Sequence, residues 1–179
     1  MLDGANKKVL DVGCAYGYTS RILSKLGYDV FGVDVSVWGL KQAKLSMNNE
    51  FLACDAQVSM PFKDGIFDLV TCFDVLEHLH NPEKALVNMF ESCKSTLICT
   101  TPNKKVEKPI RKLLGDYDET HINVKTSSDW YRFVKQLLVY NDLKVESFYD
   151  LAGKLAGKLF FKSVNLPTYG LTVRIAVRK

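Results

Sequence analysis

The sequence predicts a doubly wound α/β fold, in which a seven-stranded and mostly parallel sheet carries helices on both faces. Short hydrophobic runs of strand length alternate along the chain with segments of helical periodicity. The first run, Val9 to Val12, leads directly into a glycine-bearing turn. The last run, Leu171 to Arg178, alternates apolar and polar residues as an antiparallel final strand does. In such a fold the binding pocket lies at the carboxyl ends of the parallel strands.

Length and composition are those of a cytosolic enzyme of ordinary size. The chain has 179 residues, of which 47% are hydrophobic and 25% are charged, and no apolar run is long enough to span a membrane. The first residues, MLDGANKK, lack the apolar stretch of a signal peptide. We therefore expect one cytoplasmic domain over residues 1–179, with no transmembrane segment and with loop insertions at about 103–125 and 151–170.

The cysteines and the charged residues say less about function than the strand and helix pattern does. The five cysteines are odd in number and show no CxxC spacing, which predicts buried thiols rather than a zinc site or a disulfide framework. The net charge of +4 is mild. Positive charge is concentrated in two places, Lys104 to Lys112 and the series Lys154, Lys158 and Lys162. We interpret both as solvated surface, with a binding surface for an anionic partner as the alternative.

Each of the first three predicted strands ends at or near an aspartate. These strands are Lys8 to Val12, Asp29 to Asp34 and Phe51 to Asp55. An apolar stripe of helical spacing follows the first strand from Tyr18 to Leu26, and Ser36 can cap a helix after the second. Asp11, Asp34 and Asp55 should therefore meet at one edge of the sheet.

The second half of the chain is predicted from the same signals. Asn81-Pro82 begins one helix well, and Thr126 with Asp129 forms a capping-box signature for another. The strands of this half are Phe67 to Phe73, Ser95 to Thr100, Leu143 to Tyr149 and Leu171 to Arg178. Before the last strand, the repeat LAGKLAGK favours a hairpin-like insertion over the site, with an amphipathic helix as the alternative.

The turn after the first strand indicates which ligand the pocket takes. Its glycines, Gly13 and Gly17, miss the G-x-G-x-x-G spacing that cradles a dinucleotide pyrophosphate. Asp11 would repel a diphosphate but would suit a ligand with an ammonium or sulfonium group. Asp34 is placed to accept from ribose hydroxyls, and Asp55 from an adenine amine. Together these residues predict a cationic nucleoside rather than NAD.

Through VLDVGCAYG, VFGVDVS, LACDA, FDLVTCFDVLEHLHNP and TPN, nearly the whole chain resembles class I S-adenosylmethionine-dependent methyltransferases of the small-molecule type, which include quinone-biosynthesis O-methyltransferases. The resemblance implies a Rossmann-like sheet of order 3-2-1-4-5-7-6 and S-adenosylmethionine as cofactor. It implies contacts to the methionine part from Asp11, Gly13, Gly17 and Phe73, to the ribose from Asp34, and to the adenine from Val35, Asp55 and Ala56.

Two departures from the family pattern affect this expectation. Ala15 stands where glycine is common, and we expect binding to survive if its φ is negative. Relatives usually have an N-terminal helical segment over the cofactor, whereas here the first strand begins within ten residues of Met1. The site should therefore be open, or be covered by the insertions, by another copy of the chain or by a partner.

His78 and His121 are the candidate bases, since methyl transfer to a hydroxyl needs an aligned nucleophile and a proton acceptor. No metal is favoured, although Asp74, Glu77, His78 and His121 resemble the cation-binding pattern of metal-dependent RNA 2′-O-methyltransferases. We expect methyl transfer to a small molecule, and a nucleic acid partner is an alternative that is not favoured. The alternatives are methylation of RNA or protein, and a non-catalytic cofactor-binding module.

Overall fold

A computed structural model describes residues 7–107, 109, 118–155, 158–166 and 168–179. Eight strands are formed, namely β1 Lys8–Val12, β2 Asp29–Asp34, β3 Glu50–Ala53, β4 Phe67–Phe73, β5 Cys93–Pro102, β6 Asp142–Leu155, β7 Lys158–Asn165 and β8 Thr172–Arg178. The helices are α1 Tyr18–Lys25, α2 Val37–Ser46, α3 Pro82–Ser92 and α4 Ser127–Leu137, with a 3₁₀ turn at Leu76–His78 and a helical turn over residues 104–107.

All eight strands pair into one sheet of order β3-β2-β1-β4-β5-β8-β6-β7. The pairings from β3 to β5 are parallel, and those of β8, β6 and β7 are antiparallel. The predicted α/β class with an antiparallel last strand is confirmed. The expected order is retained, but the strand count is eight rather than seven because β7 is added at the edge beside β6.

The added strand follows the LAGK repeat, whose first residues extend β6. β6 continues through residues 151–155 and turns into β7, with pairs running from Phe148↔Asn165 to Leu155↔Lys158. This segment is therefore a hairpin, as favoured, but one that extends the sheet edge rather than a loop. The helical alternative is wrong for the described residues of the repeat. The side chains of Lys154 and Lys158, and residues 108 and 110–112 of the segment from Lys104 to Lys112, lie outside what is described.

The prediction that Asp55 ends the third strand is wrong, because β3 ends at Ala53. The pairing of β3 with β2 stops at Ala53, opposite Asp34. Oδ1 of Asp55 then accepts the Gln57 backbone N–H at 2.8 Å, an Asx-type turn that bends the chain away from the sheet. The carboxylate is consequently carried on a loop just beyond β3.

The hydrophobic core lies on the sheet face that α3 and α4 cover. Phe67 of β4, Leu97 of β5 and Ile175 of β8 are fully or almost fully buried there, together with Trp130 of α4. Helix α1 lies on the opposite face, where Ser20 bonds Asp11 of β1. The five cysteines are free thiols, as expected, and four of them are buried.

The predicted helix starts are found where the sequence places them. Ser36 accepts the Gly39 N–H at 3.1 Å, and Asn81 accepts the Lys84 N–H at 3.0 Å. Thr126 and Asp129 form the full capping box of α4. In the part of the chain that is described, no helix is long and apolar enough to cross a membrane.

Candidate active site

A cavity of about 500 Å³ opens at the carboxyl ends of the parallel strands. Residues following β1, β2, β3 and β4 line it, because parallel strands deliver their connecting loops to one edge of the sheet. The lining comprises Val12, Gly13, Ala15, Val33, Asp34, Val35, Cys54, Asp55, Ala56, Gln57, Asp74, Val75, His78 and Leu79. Six of the nine predicted cofactor-binding residues are in this set, and Asp11, Gly17 and Phe73 are not.

Gly13 is needed for the close approach of two loops. Its φ is +72°, and a Cβ at this position would lie 2.2 Å from Val75 Cγ2. Its backbone N–H donates to Val33 O at 2.8 Å, which ties the turn to the end of β2. Gly17 also has a positive φ, of +73°, but it faces Met47 and Ala43 of the α2 region rather than the cavity.

Ala15 differs from the expectation of a negative φ. Its φ is +44°, in the left-handed region that favours glycine. This conformation aims the Ala15 N–H at Asp34 Oδ2, to which it donates at 2.8 Å. The strained residue Ala15 thus makes a direct hydrogen bond between the glycine turn and Asp34, the acid at the end of β2.

The Asp34 carboxylate is fixed by backbone donors on both of its oxygens. Ser36 N–H donates to Oδ1 at 2.7 Å, while Ala15 N–H holds Oδ2. Each carboxylate oxygen has about two lone-pair sites, so both can still accept a ligand hydroxyl. The group lines the cavity as an oriented pair of acceptors, which suits a vicinal diol.

The sequence predicts that Asp11 faces a cationic ligand, but its side chain is buried beneath the turn and does not line the cavity. It is 2% exposed, and its oxygens accept from Ser20 Oγ at 2.6 Å and Thr71 Oγ1 at 3.0 Å. Burial is the main cause of its raised pKa, which the two hydroxyl donors partly oppose. Asp11 therefore joins β1, α1 and β4 beneath the turn.

The remaining predicted contacts lie around the far wall of the cavity. Asp55 and Ala56 line it, and the Ala56 carbonyl is held by Asn88 Nδ2 at 2.8 Å. Val35 lines the mouth with 69% of its surface exposed, so it offers an uncovered apolar face. Phe73 is the last residue of β4, and the cavity is lined by its successors Asp74 and Val75 instead.

His78 lies between this cavity and an adjoining cleft of about 360 Å³, and it lines both. Its Nδ1 is 2.9 Å from Thr120 Oγ1 and 3.3 Å from the Thr120 carbonyl oxygen. The Thr120 hydroxyl already donates to Asp118 Oδ1 at 2.6 Å, and a carbonyl only accepts. Nδ1 must therefore carry the proton in a neutral ring, which leaves Nε2 as the basic nitrogen.

His121 is brought next to His78 from a distant part of the chain. The two rings meet edge to face with centroids 4.7 Å apart. His121 Nδ1 pairs with Glu107 Oε1, and its Nε2 lies 3.3 Å from Asp118 Oδ2. The ring is thus held between two carboxylates and lines the same cleft as His78.

Glu77 is a buried acid between these groups. It is 1% exposed, and neither carboxylate oxygen has a hydrogen-bond partner among the described residues. Burial, followed by the negative charges of Asp74, Glu107 and Asp118, raises its pKa to about 8. One ligand atom each from Glu77, His78 and His121 lies within 4.8 Å of the others. Asp74, the fourth predicted ligand, instead accepts from Thr100 Oγ1 at 3.1 Å.

Several residues of the site were not predicted. Thr120 orients His78 across 42 residues of chain, and Gln57 joins the cavity wall through its turn with Asp55. Nothing in the sequence near Thr120 marks it, since its role depends on a long-range contact. Gln57 could have been found, because an Asx turn places the residue two positions after the aspartate beside it.

The methyltransferase domain family model matches residues 2–137, and the chain belongs to this family. A ubiquinone biosynthesis O-methyltransferase of Azoarcus sp. strain BH72 is 29% identical over 138 residues, which cover 73% of this chain and 59% of the relative. A second enzyme of that name, from Acinetobacter baylyi, is 24% identical over 78% of this chain and 62% of its own length. The chain thus spans about three fifths of the length of these relatives.

Solved structures agree on the fold. A SAM-dependent methyltransferase from Archaeoglobus fulgidus superposes with a TM-score of 0.75 at 20% identity, covering 99% of this chain and 87% of that one. The Rossmann-like methyltransferase architecture expected from the sequence is therefore confirmed.

Proposed function

We propose that this protein transfers the methyl group of S-adenosylmethionine to a hydroxyl of a small molecule. The observation that carries the proposal is the position of His78, which lines both the cavity and the adjoining cleft while Thr120 holds its Nδ1. The curated relatives named ubiquinone biosynthesis O-methyltransferase support oxygen as the acceptor atom.

The cavity offers a complementary group for each part of the cofactor. Asp34 would accept from the two ribose hydroxyls, and Val35 would pack against the adenine. Asp55 and the Ala56 backbone would contact the adenine edge, while Gly13 and Ala15 would border the methionine part. Asp11 and Gly17 would act indirectly, by holding the turn, and Phe73 by delivering Asp74 and Val75.

The protein's own chemical task is alignment and proton removal. S-adenosylmethionine supplies an activated methyl group on a sulfonium, so no further activation of the donor is needed. The cleft would hold the acceptor hydroxyl in line with that methyl group. The oxygen would bond to the methyl carbon as the S–C bond of the sulfonium breaks, with S-adenosylhomocysteine as the leaving group. His78 Nε2 would take the hydroxyl proton, and the Thr120 oxygens would hold the Nδ1–H of the resulting imidazolium.

A screen with S-adenosylmethionine labelled in the methyl group tests this function. Small-molecule, RNA and protein fractions would be offered separately to the wild-type protein and to His78→Gln. We expect label in a small-molecule product, and a loss of roughly a hundredfold or more in rate for His78→Gln. Label confined to RNA or protein would contradict the proposal, and S-adenosylmethionine binding without label in any fraction would favour a non-catalytic module.

A second candidate is methyl transfer assisted by a divalent cation. It is favoured by the grouping of Glu77, His78 and His121 and by the buried, unpartnered carboxylate of Glu77. These three side chains would hold the ion, which would supply a Lewis acid that lowers the pKa of an acceptor hydroxyl. If EDTA abolished the activity and Mg²⁺ or Mn²⁺ restored it, the cation site would replace His78 as the group that activates the acceptor. Activity that is insensitive to EDTA would exclude the cation-assisted candidate.

A further inference from the structure

Two neighbouring helices expose an aromatic and aliphatic surface beside the cavity, which we call the α1–α2 face. Tyr16 lies between them, with its ring 6.2 Å from that of Tyr18 and 5.4 Å from that of Trp38. Trp38 is 61% exposed and Tyr18 is 69% exposed. Along α1, Ile22 continues the exposed stripe one turn beyond Tyr18. A contiguous exposed apolar surface of this kind marks an interaction site.

The charges of the same two helices have one sign. Helix α1 carries Arg21 and Lys25, and helix α2 carries Lys41 and Lys44. Neither helix contains an aspartate or a glutamate. The exposed aromatic side chains are therefore accompanied by three exposed lysines and the half-buried Arg21. A partner for this face should combine an apolar layer with negative charge.

We propose that the α1–α2 face docks on an anionic lipid surface, with Tyr16, Tyr18 and Trp38 at the level of the headgroups. Tyrosine and tryptophan favour that level because each has an apolar ring and a polar edge. Lysines beside them gain attraction from anionic headgroups. This is the composition of surface helices that lie on membranes rather than cross them.

The α1–α2 face lies beside the mouth of the cavity. Val35, which lines the cavity mouth, is separated from Trp38 by only two residues, and Ala15 adjoins Tyr16. A lipid surface under the aromatic residues would therefore lie next to the mouth. The opposite sheet face, covered by α3 and α4, would point away from the lipid.

The two tryptophans provide a site-specific assay. Trp38 is 61% exposed, whereas Trp130 is fully buried in the core, so a change in emission on docking reports Trp38. The full chain would be titrated with vesicles of phosphatidylcholine containing about a third phosphatidylglycerol. We expect a blue shift of the emission and quenching when the lipids carry bromine on their acyl chains, and neither change in Trp38→Phe.

Matched charge variants test the cationic part. Lys41→Gln with Lys44→Gln should weaken binding to these vesicles on the order of tenfold or more. Lys63→Gln with Lys84→Gln removes the same charge from exposed positions elsewhere and should leave binding nearly unchanged. Circular dichroism spectra like that of the wild type would show that both double variants are folded.

Three results would overturn the proposal. They are failure of the wild type to bind the anionic vesicles in a sedimentation assay, equal binding by the two double variants, and binding to RNA or polyglutamate but not to vesicles. The assay needs neither S-adenosylmethionine nor methyl transfer. Its failure would therefore leave the proposed enzymatic function untouched.

Discussion

The backbone N–H of Ala15 donates a hydrogen bond of 2.8 Å to Asp34 Oδ2. The turn after β1 and the acid at the end of β2 therefore form one unit, although the two residues lie 19 positions apart in the sequence. Ala15 makes this bond with a φ of +44°, so the unit combines an energetic cost at one residue with orientation of the carboxylate at the other.

The first prediction concerns that carboxylate. Asp34→Asn retains one oxygen for a backbone donor but loses the charge, and a hydrogen bond to a charged group contributes about 1.5–3 kcal/mol. We expect the affinity for S-adenosylmethionine to fall by one to two orders of magnitude, measured by calorimetry. Asp68→Asn is the matched control, since Asp68 also accepts a backbone N–H, from Lys8 at 2.9 Å, at the other end of the strands. Equal affinities of Asp34→Asn and wild type would remove the ribose assignment.

The second prediction concerns backbone strain. Ala15→Gly removes the Cβ that makes φ of +44° costly, while the freer unfolded chain opposes part of the gain. The free energy of unfolding should rise by up to about 1 kcal/mol in urea denaturation. Ala85→Gly, in the middle of α3, should instead lose about 1 kcal/mol or more. A clear loss of stability in Ala15→Gly would show that the Ala15 conformation is not strained.

The third prediction concerns the tautomer of His78. Thr120→Val removes the hydroxyl oxygen that accepts from Nδ1–H, whereas Thr120→Ser keeps it. We expect kcat to fall about tenfold in the valine variant and to be nearly retained in the serine variant. The ¹⁵N chemical shifts of the His78 ring should show protonated Nδ1 in wild type and Thr120→Ser, with this preference weakened in Thr120→Val. Protonation at Nε2 in the wild type would contradict the assigned base.

The fourth prediction concerns pH. The Thr126 donors and Arg132, at 2.6 Å, hold the pKa of Asp129 below its usual value. A carboxyl whose folded pKa is depressed contributes stability above its unfolded pKa, about 3.9, and that contribution is lost as pH falls through the folded pKa. Wild type should therefore lose more stability than Asp129→Asn between pH 5 and pH 2. Asp64→Asn, in an exposed turn, should follow the wild-type curve, and an identical slope for Asp129→Asn would exclude the effect.

Local signals explain what the sequence could predict. Ser36, Asn81 and Thr126 were assigned as helix caps because each bonds a backbone N–H only three residues away. Asp34 and Asp55 were placed at the cavity because parallel strands bring their carboxyl ends to one edge. Helix caps and strand ends of this kind do not depend on side-chain packing.

The features that the sequence could not predict depend on contacts between residues far apart in the chain. The direction of the Asp11 side chain depends on Thr71, which is 60 residues away, and the tautomer of His78 depends on Thr120. The positive φ of Ala15, at a residue bonded to Asp34, runs against alanine's own preference. The additional strand, β7, lies in the segment expected as a loop insertion at about 151–170, and its strand conformation depends on pairing with β6.

The most direct test of the account is calorimetric titration of the wild-type protein with S-adenosylmethionine and, separately, with NAD under the same conditions. The oriented Asp34 carboxylate and the turn from Gly13 to Gly17 predict saturable binding of S-adenosylmethionine at a single site and no measurable binding of NAD. Preferential binding of NAD, or no heat with S-adenosylmethionine, would contradict it.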